Sequence, residues 1–351
     1  MISHATEGGT HLDKEDERNA CTGMVHGFHI RHPSPAHTFI KFTTEEEELF
    51  QTIHLGKPII NHDLWRLRIH GLVDRPYILT LPELQALPST DITSFHECYG
   101  SPLKAPTSNV WRIGNVTWTG VRLSELLMRA GAKSQAAYVW SDGLECGEFG
   151  GIAADRYQKD LPIEKAMRSE VVVAYKMNGQ SLGLERGGPV RLVVPGWFGT
   201  NSTKWLCSLQ PREERSPGPF TTTFYNELVP GEEASGRMRP VWEVEPNSMI
   251  VSPKDGDVVT CIGRIKIWGW AWSCHGISAV EVSGDGGDHW EVARLAERSQ
   301  FEWQRFEIEL QLANGNHVLM ARARSKDDLQ QPLVERRNHV HSVHVEVNPA
   351  P

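Results

Sequence analysis

The strongest constraint on the fold is a change of texture near residue 245. From there to residue 348 the chain runs through short segments in which apolar and polar residues alternate. They are Arg264-Ile-Lys-Ile-Trp-Gly-Trp-Ala-Trp272, Ala279-Val-Glu-Val-Ser283, Trp290-Glu-Val-Ala-Arg-Leu295, Arg305-Phe-Glu-Ile-Glu-Leu-Gln-Leu312 and His317-Val-Leu-Met-Ala-Arg-Ala323. Turn residues such as Asp285-Gly286-Gly287 separate them. Period-two alternation at even spacing describes an all-β sandwich of the immunoglobulin type over 245–348. No Cys…Trp…Cys pattern marks an antibody domain, and the module reads as structural or dimerising. Alternation places Trp268, Trp270 and Trp272 on one face of their strand, as core or interface anchors, core for at least two.

The preceding region, 39–230, follows another pattern. Trp65-Arg-Leu-Arg-Ile-His-Gly71 alternates and stops at glycine, which predicts a strand. Thr80-Leu-Pro-Glu-Leu-Gln-Ala-Leu87 has a capping residue, an early proline and a leucine face, which predicts a short helix. Leu123, Leu126, Leu127 and Ala130 recur at helical spacing before a stop at Gly131. Ala137–Ser141 and Val171–Tyr175 read as strands, Asn178-Gly179 as a hairpin turn, and Arg191–Pro195 as a buried strand. Helices and strands mix without a βαβ repeat, so the class is α+β. At 351 residues two domains are expected. Residues 1–38, polar and His-rich, read as a loosely held arm, and the stretch after Tyr225 as loop.

A net charge of −8 argues against general nucleic-acid binding but permits a local basic pocket. No apolar stretch approaches the ~20 residues of a membrane helix. The N-terminus lacks the charged start and apolar core of a signal peptide, so a cytoplasmic location is expected. A trimmed periplasmic or organellar precursor would read the same. The six cysteines show no C-x-x-C, zinc or C-x-x-C-H spacing, so disulfides and a covalent haem are not expected. Five of them read as small buried hydrophobes.

Cys98 is the exception. It closes the strand-like run Asp91-Ile-Thr-Ser-Phe-His-Glu-Cys98 and opens onto Tyr99-Gly100-Ser101-Pro102. A cysteine released from a strand into a Gly/Pro turn presents its sulfur where a metal can approach. Downstream, Gly188-Pro-Val-Arg191, Pro195-Gly-Trp-Phe-Gly199 and Thr203-Lys204-Trp205 combine glycines, cations and hydroxyls as a phosphate cradle does. One soft thiolate with one anion cradle suggests a bulky anionic cofactor carrying a soft metal.

Together these segments resemble the sulfite oxidase family of molybdenum enzymes over roughly residues 40–347. The resemblance rests on Trp65-Arg-Leu-Arg-Ile-His-Gly-Leu-Val-Asp-Arg-Pro with Leu79-Thr-Leu-Pro-Glu-Leu, His96-Glu-Cys98-Tyr-Gly, and Gly114-Asn-Val-Thr-Trp118-Thr-Gly-Val-Arg-Leu123. Tyr175-Lys-Met-Asn-Gly179-Gln and Gly188-Pro-Val-Arg191 through Lys204-Trp-Leu206 complete it. It implies a molybdopterin-binding catalytic domain over 39–230, followed by the dimerisation sandwich of a homodimer. It further implies a Mo-molybdopterin cofactor with Cys98 bound to molybdenum. His54 matches the histidine closing the family's Phe-x-Arg-Asn-His motif, and Phe50 its opening aromatic. Glu145, Arg186, Arg191, Ser202, Thr203 and Lys204 fall at pterin and phosphate positions, with Arg186 standing where the family has histidine. A structural salt bridge is the alternative for Arg191. Tyr225 aligns with the active-site tyrosine. Trp111 aligns with a tryptophan walling the anion pocket, a plain core aromatic being the alternative.

Two departures bear on substrate. The motif arginine is replaced by Thr52, and the family's Cys-Ala-Gly-Asn-Arg-Arg reads Cys98-Tyr-Gly-Ser-Pro-Leu-Lys104. Two cations that would neutralise sulfite are missing, and Lys104 and Arg112 are the candidate replacements. The expected activity is oxygen-atom transfer to sulfite or a related small sulfur compound. No haem or flavin motif is present, so electrons pass to an external acceptor, a cytochrome, another carrier or dioxygen. Two readings compete. One is a reductase of sulfoxide-like substrates, favoured by the lost arginines and disfavoured by the sandwich, which the sulfoxide-reducing branch lacks. The other is a non-enzymatic binding protein with an immunoglobulin-like module and a merely buried Cys98.

Overall fold

The strand begun at Trp65 lies buried on both faces: Leu67, Arg68 and Ile69 are all inside, as the middle of a sheet requires. The structure, a computed structural model, describes residues 18–100, 111–229, 231–261, 264–334 and 336–349. The first domain is built on β1 (Arg66–Ile69), β2 (Tyr77–Thr80), β3 (Thr90–Glu97), β4 (Ile113–Arg122), β5 (Tyr138–Gly143), β6 (Tyr157–Pro162), β7 (Val172–Met177), β8 (Gln180–Ser181), β9 (Arg191–Val193) and β10 (Leu206–Arg212). One sheet has the order β6-β5-β10-β1-β2, in which β10 and β1 run parallel. The other has the order β8-β7-β4-β3, with β9 also paired to β7.

Local chemistry explains the elements between them. The helix α1 (Leu81–Gln85) starts at a capping box. The Thr80 hydroxyl accepts from the Glu83 amide at 3.3 Å, and the Glu83 carboxylate accepts from the Thr80 amide at 2.8 Å. The helix α2 (Leu123–Ala130) buries the leucine face and stops at Gly131, whose φ of 68° closes it in the left-handed region. Asn178 and Gly179, with φ of 50° and 78°, turn β7 into β8.

The second domain is all-β: β11 (Asn247–Ser252), β12 (Asp257–Cys261), β13 (Arg264–Trp272), β14 (Ile277–Ser283), β15 (Glu291–Val292), β16 (Arg294–Leu295), β17 (Gln304–Gln311), β18 (Gly315–Ser325) and β19 (Ser342–Pro349). Sheets of order β11-β13-β17-β16 and β12-β19-β18-β14-β15 enclose a core that includes Ile267, Val280, Phe306, Leu319 and Val345.

Three expectations are corrected. Residues 21–31 are no loose arm: Cys21–His26 pairs antiparallel with Gly56–Ile60, and His29–Arg31 with Gln51–Ile53. A polar stretch can still close a strand edge, because backbone groups supply the bonds. After Tyr225 the chain forms a ribbon of Asn226–Leu228 and Met238–Pro240. The thiols of Cys21 and Cys146 are half-buried, while Cys207 and Cys274 are buried.

The three sandwich tryptophans share one face, which turns toward the first domain. Trp270 and Trp272 are buried, and Trp268 packs partly against the same cluster, with Phe39, Phe95 and Phe198 from the first domain. Trp270 stacks on Trp303 at 4.7 Å and donates its indole N–H to the Phe39 carbonyl at 2.7 Å. Among the described residues no helix is long and apolar enough to cross a membrane.

Candidate active site

Cys98 follows the last residue of β3, and its amide donates to the Arg112 carbonyl at 2.9 Å, the final rung with β4. Among the described residues, two polar side chains approach the sulfur. The Thr52 hydroxyl lies 3.8 Å away and the Arg112 guanidinium 3.9 Å away. The sulfur opens on a cleft of about 630 Å³, counting its mouth. His54, Glu145, Arg186, Arg191, Ser202, Lys204 and Tyr225 line it with Cys98.

Gly187 makes the cationic wall possible. Its φ of 91° suits glycine, and a Cβ there would sit 2.6 Å from Cβ and Cγ of Lys204. Arg186 donates to the carbonyls of Phe50 and Leu49 at 2.8 and 2.9 Å. Arg191, the first residue of β9, donates to the carbonyls of Arg186 and Ser202 at 3.0 and 3.2 Å and lies 4.9 Å over the Trp118 ring. Lys204 donates to the Thr52 carbonyl.

Burial disfavours these charges, and so does their mutual repulsion. Burial with Arg31 beside it pulls Arg186 down to about 10, and burial with Arg186 beside it pulls Arg191 down to about 9. Burial also pulls Lys204 down, opposed by Glu145, whose carboxyl burial pushes up against the pull of Lys204. Glu145 accepts from the His54 and Leu55 amides at 3.3 and 3.2 Å. Glu185, at the rim, is engaged by Arg31 and Lys57 at 2.7 and 3.1 Å. The wall thus keeps an excess of buried positive charge turned to backbone carbonyls. An anion with several oxygens matches that donor set, and the thiol beside it matches a soft metal. The residues therefore fit a phosphate-bearing cofactor whose metal takes a cysteine.

Tyr225 stands at a φ of 56°, unusual for a side-chain-bearing residue, and its phenol shares a hydrogen bond with Nε2 of His54. Burial, with the Cys98 sulfur and Glu145 nearby, pushes the phenol far up, so it stays protonated. Burial, then Lys204 and Arg112, pulls His54 down to about 3, so the imidazole is neutral at physiological pH. His96 is likewise held neutral by burial and Arg191, and stacks on Phe50 at 5.7 Å.

Three expected site residues among those described are absent from the cleft lining: Thr203, Trp111 and Arg112, although the Arg112 guanidinium lies 3.9 Å from the Cys98 sulfur. The Thr203 hydroxyl bonds the Ser141 hydroxyl at 2.7 Å in the interior, turned away from the cleft that its neighbours Ser202 and Lys204 line. Trp111 packs in the seam between domains, edge-on to Trp272 at 5.6 Å and against His341 at 4.5 Å. Lys104 lies outside the described residues. The cleft holds Thr52, at the position of the missing motif arginine, and also residues that the sequence reading did not place there: His96, Tyr157 and Thr200. His96 carried a signal, since it shares a strand face with Cys98 two residues on. Tyr157 carried none; its phenol reaches the Thr200 carbonyl at 2.6 Å across the fold.

Residues 54–220 match the family model of the oxidoreductase molybdopterin-binding domain, and residues 238–347 that of the Mo-co oxidoreductase dimerisation domain. The chain is 30% identical to human mitochondrial sulfite oxidase, over 90% of this chain and 64% of that protein. It is 27% identical to sulfite oxidase of Arabidopsis thaliana, over 84% of each. Its fold superposes on the sulfane dehydrogenase SoxCD from Paracoccus pantotrophus with a TM-score of 0.76 and 27% identity, covering 99% of this chain and 93% of that one. The chain spans 58–64% of the length of its mammalian relatives.

Proposed function

Because this chain belongs to the sulfite oxidase family of molybdopterin-binding oxidoreductases, we propose that it moves an oxygen atom from water to the sulfur of a small substrate. Each turnover releases two protons to solvent and two electrons to an external acceptor. The bound molybdenum cofactor would supply the two-electron oxygen-atom transfer. Cys98 would hold the metal, and the Arg112 guanidinium 3.9 Å from its sulfur complements a thiolate there. Arg186, Arg191 and Lys204, with the Ser202 hydroxyl, would hold the phosphate, which relieves their mutual repulsion. Glu145 fixes the backbone of His54, and His54 in turn orients the Tyr225 phenol. That phenol, protonated throughout the working range, is a donor for a reacting oxygen.

The substrate follows from charge. Thr52 stands 3.8 Å from the sulfur where the family's motif carries arginine. Arg112 remains as a cation within 4 Å of the sulfur. A dianion entering a desolvated site without the motif arginine at position 52 is penalised by up to several kcal/mol. The site therefore suits a sulfur compound bearing one negative charge or none at the reacting end. Likeness to a sulfane dehydrogenase supports the oxidative direction. A sulfoxide-like reductase is the second reading, favoured by the threonine at 52. The match to a dimerisation domain supports a homodimer assembled through the immunoglobulin-like sandwich.

The carrying observation is the meeting of the Cys98 sulfur, the Tyr225 phenol, the buried Arg186 and Arg191, and the partly buried Lys204 in one cleft. Expression under molybdenum-replete conditions tests it, with metal quantification and turnover of sulfite, thiosulfate and sulfoxides by the parent and Cys98→Ser. Stoichiometric molybdenum and sulfur-dependent turnover that vanish in the variant are expected. Parental turnover in Cys98→Ser would refute the assignment.

A further inference from the structure

Side chains along β3 point alternately to opposite faces. His96 and Cys98 face the cleft, and Glu97 between them faces the second domain. Glu97 is fully buried, an unusual place for a carboxylate. One carboxylate oxygen accepts from the Trp272 indole at 2.7 Å. The other accepts from the Asn247 amide at 3.5 Å and from the Arg337 guanidinium at 3.3 Å. All three donors belong to the second domain: Trp272 ends β13, Asn247 begins β11, and Arg337 lies on the segment before β19.

The far side of this clamp is anchored inside the sandwich. The Asn247 side-chain Oδ1 accepts from Nε2 of Gln331 at 3.0 Å, and Oε1 of Gln331 accepts from the Ser248 hydroxyl at 2.7 Å and the Ala323 backbone amide at 3.1 Å. The residue after Cys98 is fastened as well. The Arg337 guanidinium lies 5.1 Å over the Tyr99 ring, and the Tyr99 hydroxyl donates to Glu227 at 3.2 Å, two residues beyond Tyr225. Further back, β3 takes a backbone bridge from the same domain. The Phe95 amide donates to the Phe301 carbonyl at 2.9 Å, and the Phe301 amide to the Thr93 carbonyl at 3.1 Å.

We propose that the second domain is a working part of the site: through Glu97, held by Trp272, Asn247 and Arg337, it sets the position of the Cys98 sulfur. Glu97, Trp272 and Arg337 are positioning residues, since none of them lines the cleft. The inference rests on Cys98 being the metal ligand, and it adds a role to a domain otherwise assigned to dimerisation. If the clamp only joined the domains, cutting it would lower stability and leave the chemistry of the sulfur alone.

The test uses the full-length chain with Glu97→Gln, Trp272→Phe, Arg337→Lys and Arg337→Met. In the molybdenum-free protein, the rate of Cys98 alkylation against pH is followed by peptide mass spectrometry. In the loaded enzyme, the sulfur-to-molybdenum absorption band, molybdenum content, kcat and KM are measured. Glu97→Gln and Trp272→Phe are expected to retain molybdenum, change the alkylation rate at least about threefold and shift the band. They should also lower kcat about tenfold with KM within about twofold. Arg337→Lys should recover most of what Arg337→Met loses. Arg337, at the edge of the seam with its side chain 21% exposed, keeps the test alive if the buried variants fail to fold. Parental alkylation and a parental band in variants of lowered thermal stability would overturn the proposal. Absence of molybdenum from every protein would sink the cofactor reading, while the alkylation arm would still decide this one.

Discussion

Thr52→Arg restores a cation that the family carries at this motif position, and its effect can be worked from the cleft. The Thr52 hydroxyl lies 3.8 Å from the Cys98 sulfur, so a guanidinium from this residue reaches an anion bound in front of that sulfur. At about 4 Å and an effective dielectric near 20, each unit of substrate charge gains roughly 4 kcal/mol. Two terms oppose this. The guanidinium loses water, and it joins Arg112, 3.9 Å from the same sulfur, and Lys204, which donates to the Thr52 carbonyl. We expect a net gain of about 1–3 kcal/mol toward sulfite dianion, a fall in KM of roughly 5- to 150-fold. A neutral sulfur substrate should gain nothing. Steady-state kinetics with ferricyanide as acceptor, at low and high salt, reads the effect, which added salt should shrink. Without an anion the added charge is uncompensated, so the ligand-free variant should melt below the parent and recover with sulfite. A molybdenum-loaded variant with unchanged sulfite KM and no sulfite-dependent stabilisation would refute the charge reasoning behind the substrate assignment.

Gly187→Ala should cost about 2–4 kcal/mol, from a strained φ and overpacking against Lys204, and should deplete molybdenum. Gly179→Ala, whose added Cβ meets nothing within 4 Å, is the control and should keep its metal. Metal content per protomer separates the two. Trp111→Phe should lower stability by about 1–3 kcal/mol, as a seam aromatic does, and leave substrate KM within about twofold; a large KM change would return Trp111 to the pocket. Lys159 is buried, donates to the Phe220 carbonyl at 2.9 Å, and is pulled by burial from 10.5 down to about 8. Between pH 8 and 10.5 the unfolded chain then binds more protons than the folded one, so stability should rise with pH through that window. Urea melts at pH 7.5, 8.5 and 9.5 should show a steeper rise in the parent than in Lys159→Met, and equal slopes would remove the claim.

What the sequence made legible is what periodicity and local chemistry govern. The capped helix at Thr80, the stop at Gly131, the Asn178-Gly179 hairpin and the alternating strands after residue 264 each depend on residues a few positions apart. That Arg191, Ser202 and Lys204 share one cleft was legible for a related reason: they lie on one short stretch of glycines, cations and hydroxyls. Residues 21–31 were not, because pairing with Gly56–Ile60 is a backbone matter that polar side chains neither favour nor forbid. Thr203 illustrates the same limit at single-residue scale. It lies between two cleft residues, and the turn of the backbone decides which hydroxyls face the anion.

The seam between the domains was the least legible part. Alternation showed that Trp268, Trp270 and Trp272 share a face, but period two says nothing of what that face meets. A glutamate beside a cysteine reads as a solvated neighbour, because carboxylates are seldom buried. Glu97 is buried because a distant indole, amide and guanidinium converge on it from residues 247–337, contacts that no local pattern encodes. Losing one of those donors leaves a buried charge undercompensated, a cost of about 1–3 kcal/mol. That strain falls on the residue next to the sulfur. The second domain would therefore act on catalysis even in variants that still dimerise, and an interface cut elsewhere on the sandwich should spare the Cys98 alkylation rate that Trp272→Phe disturbs.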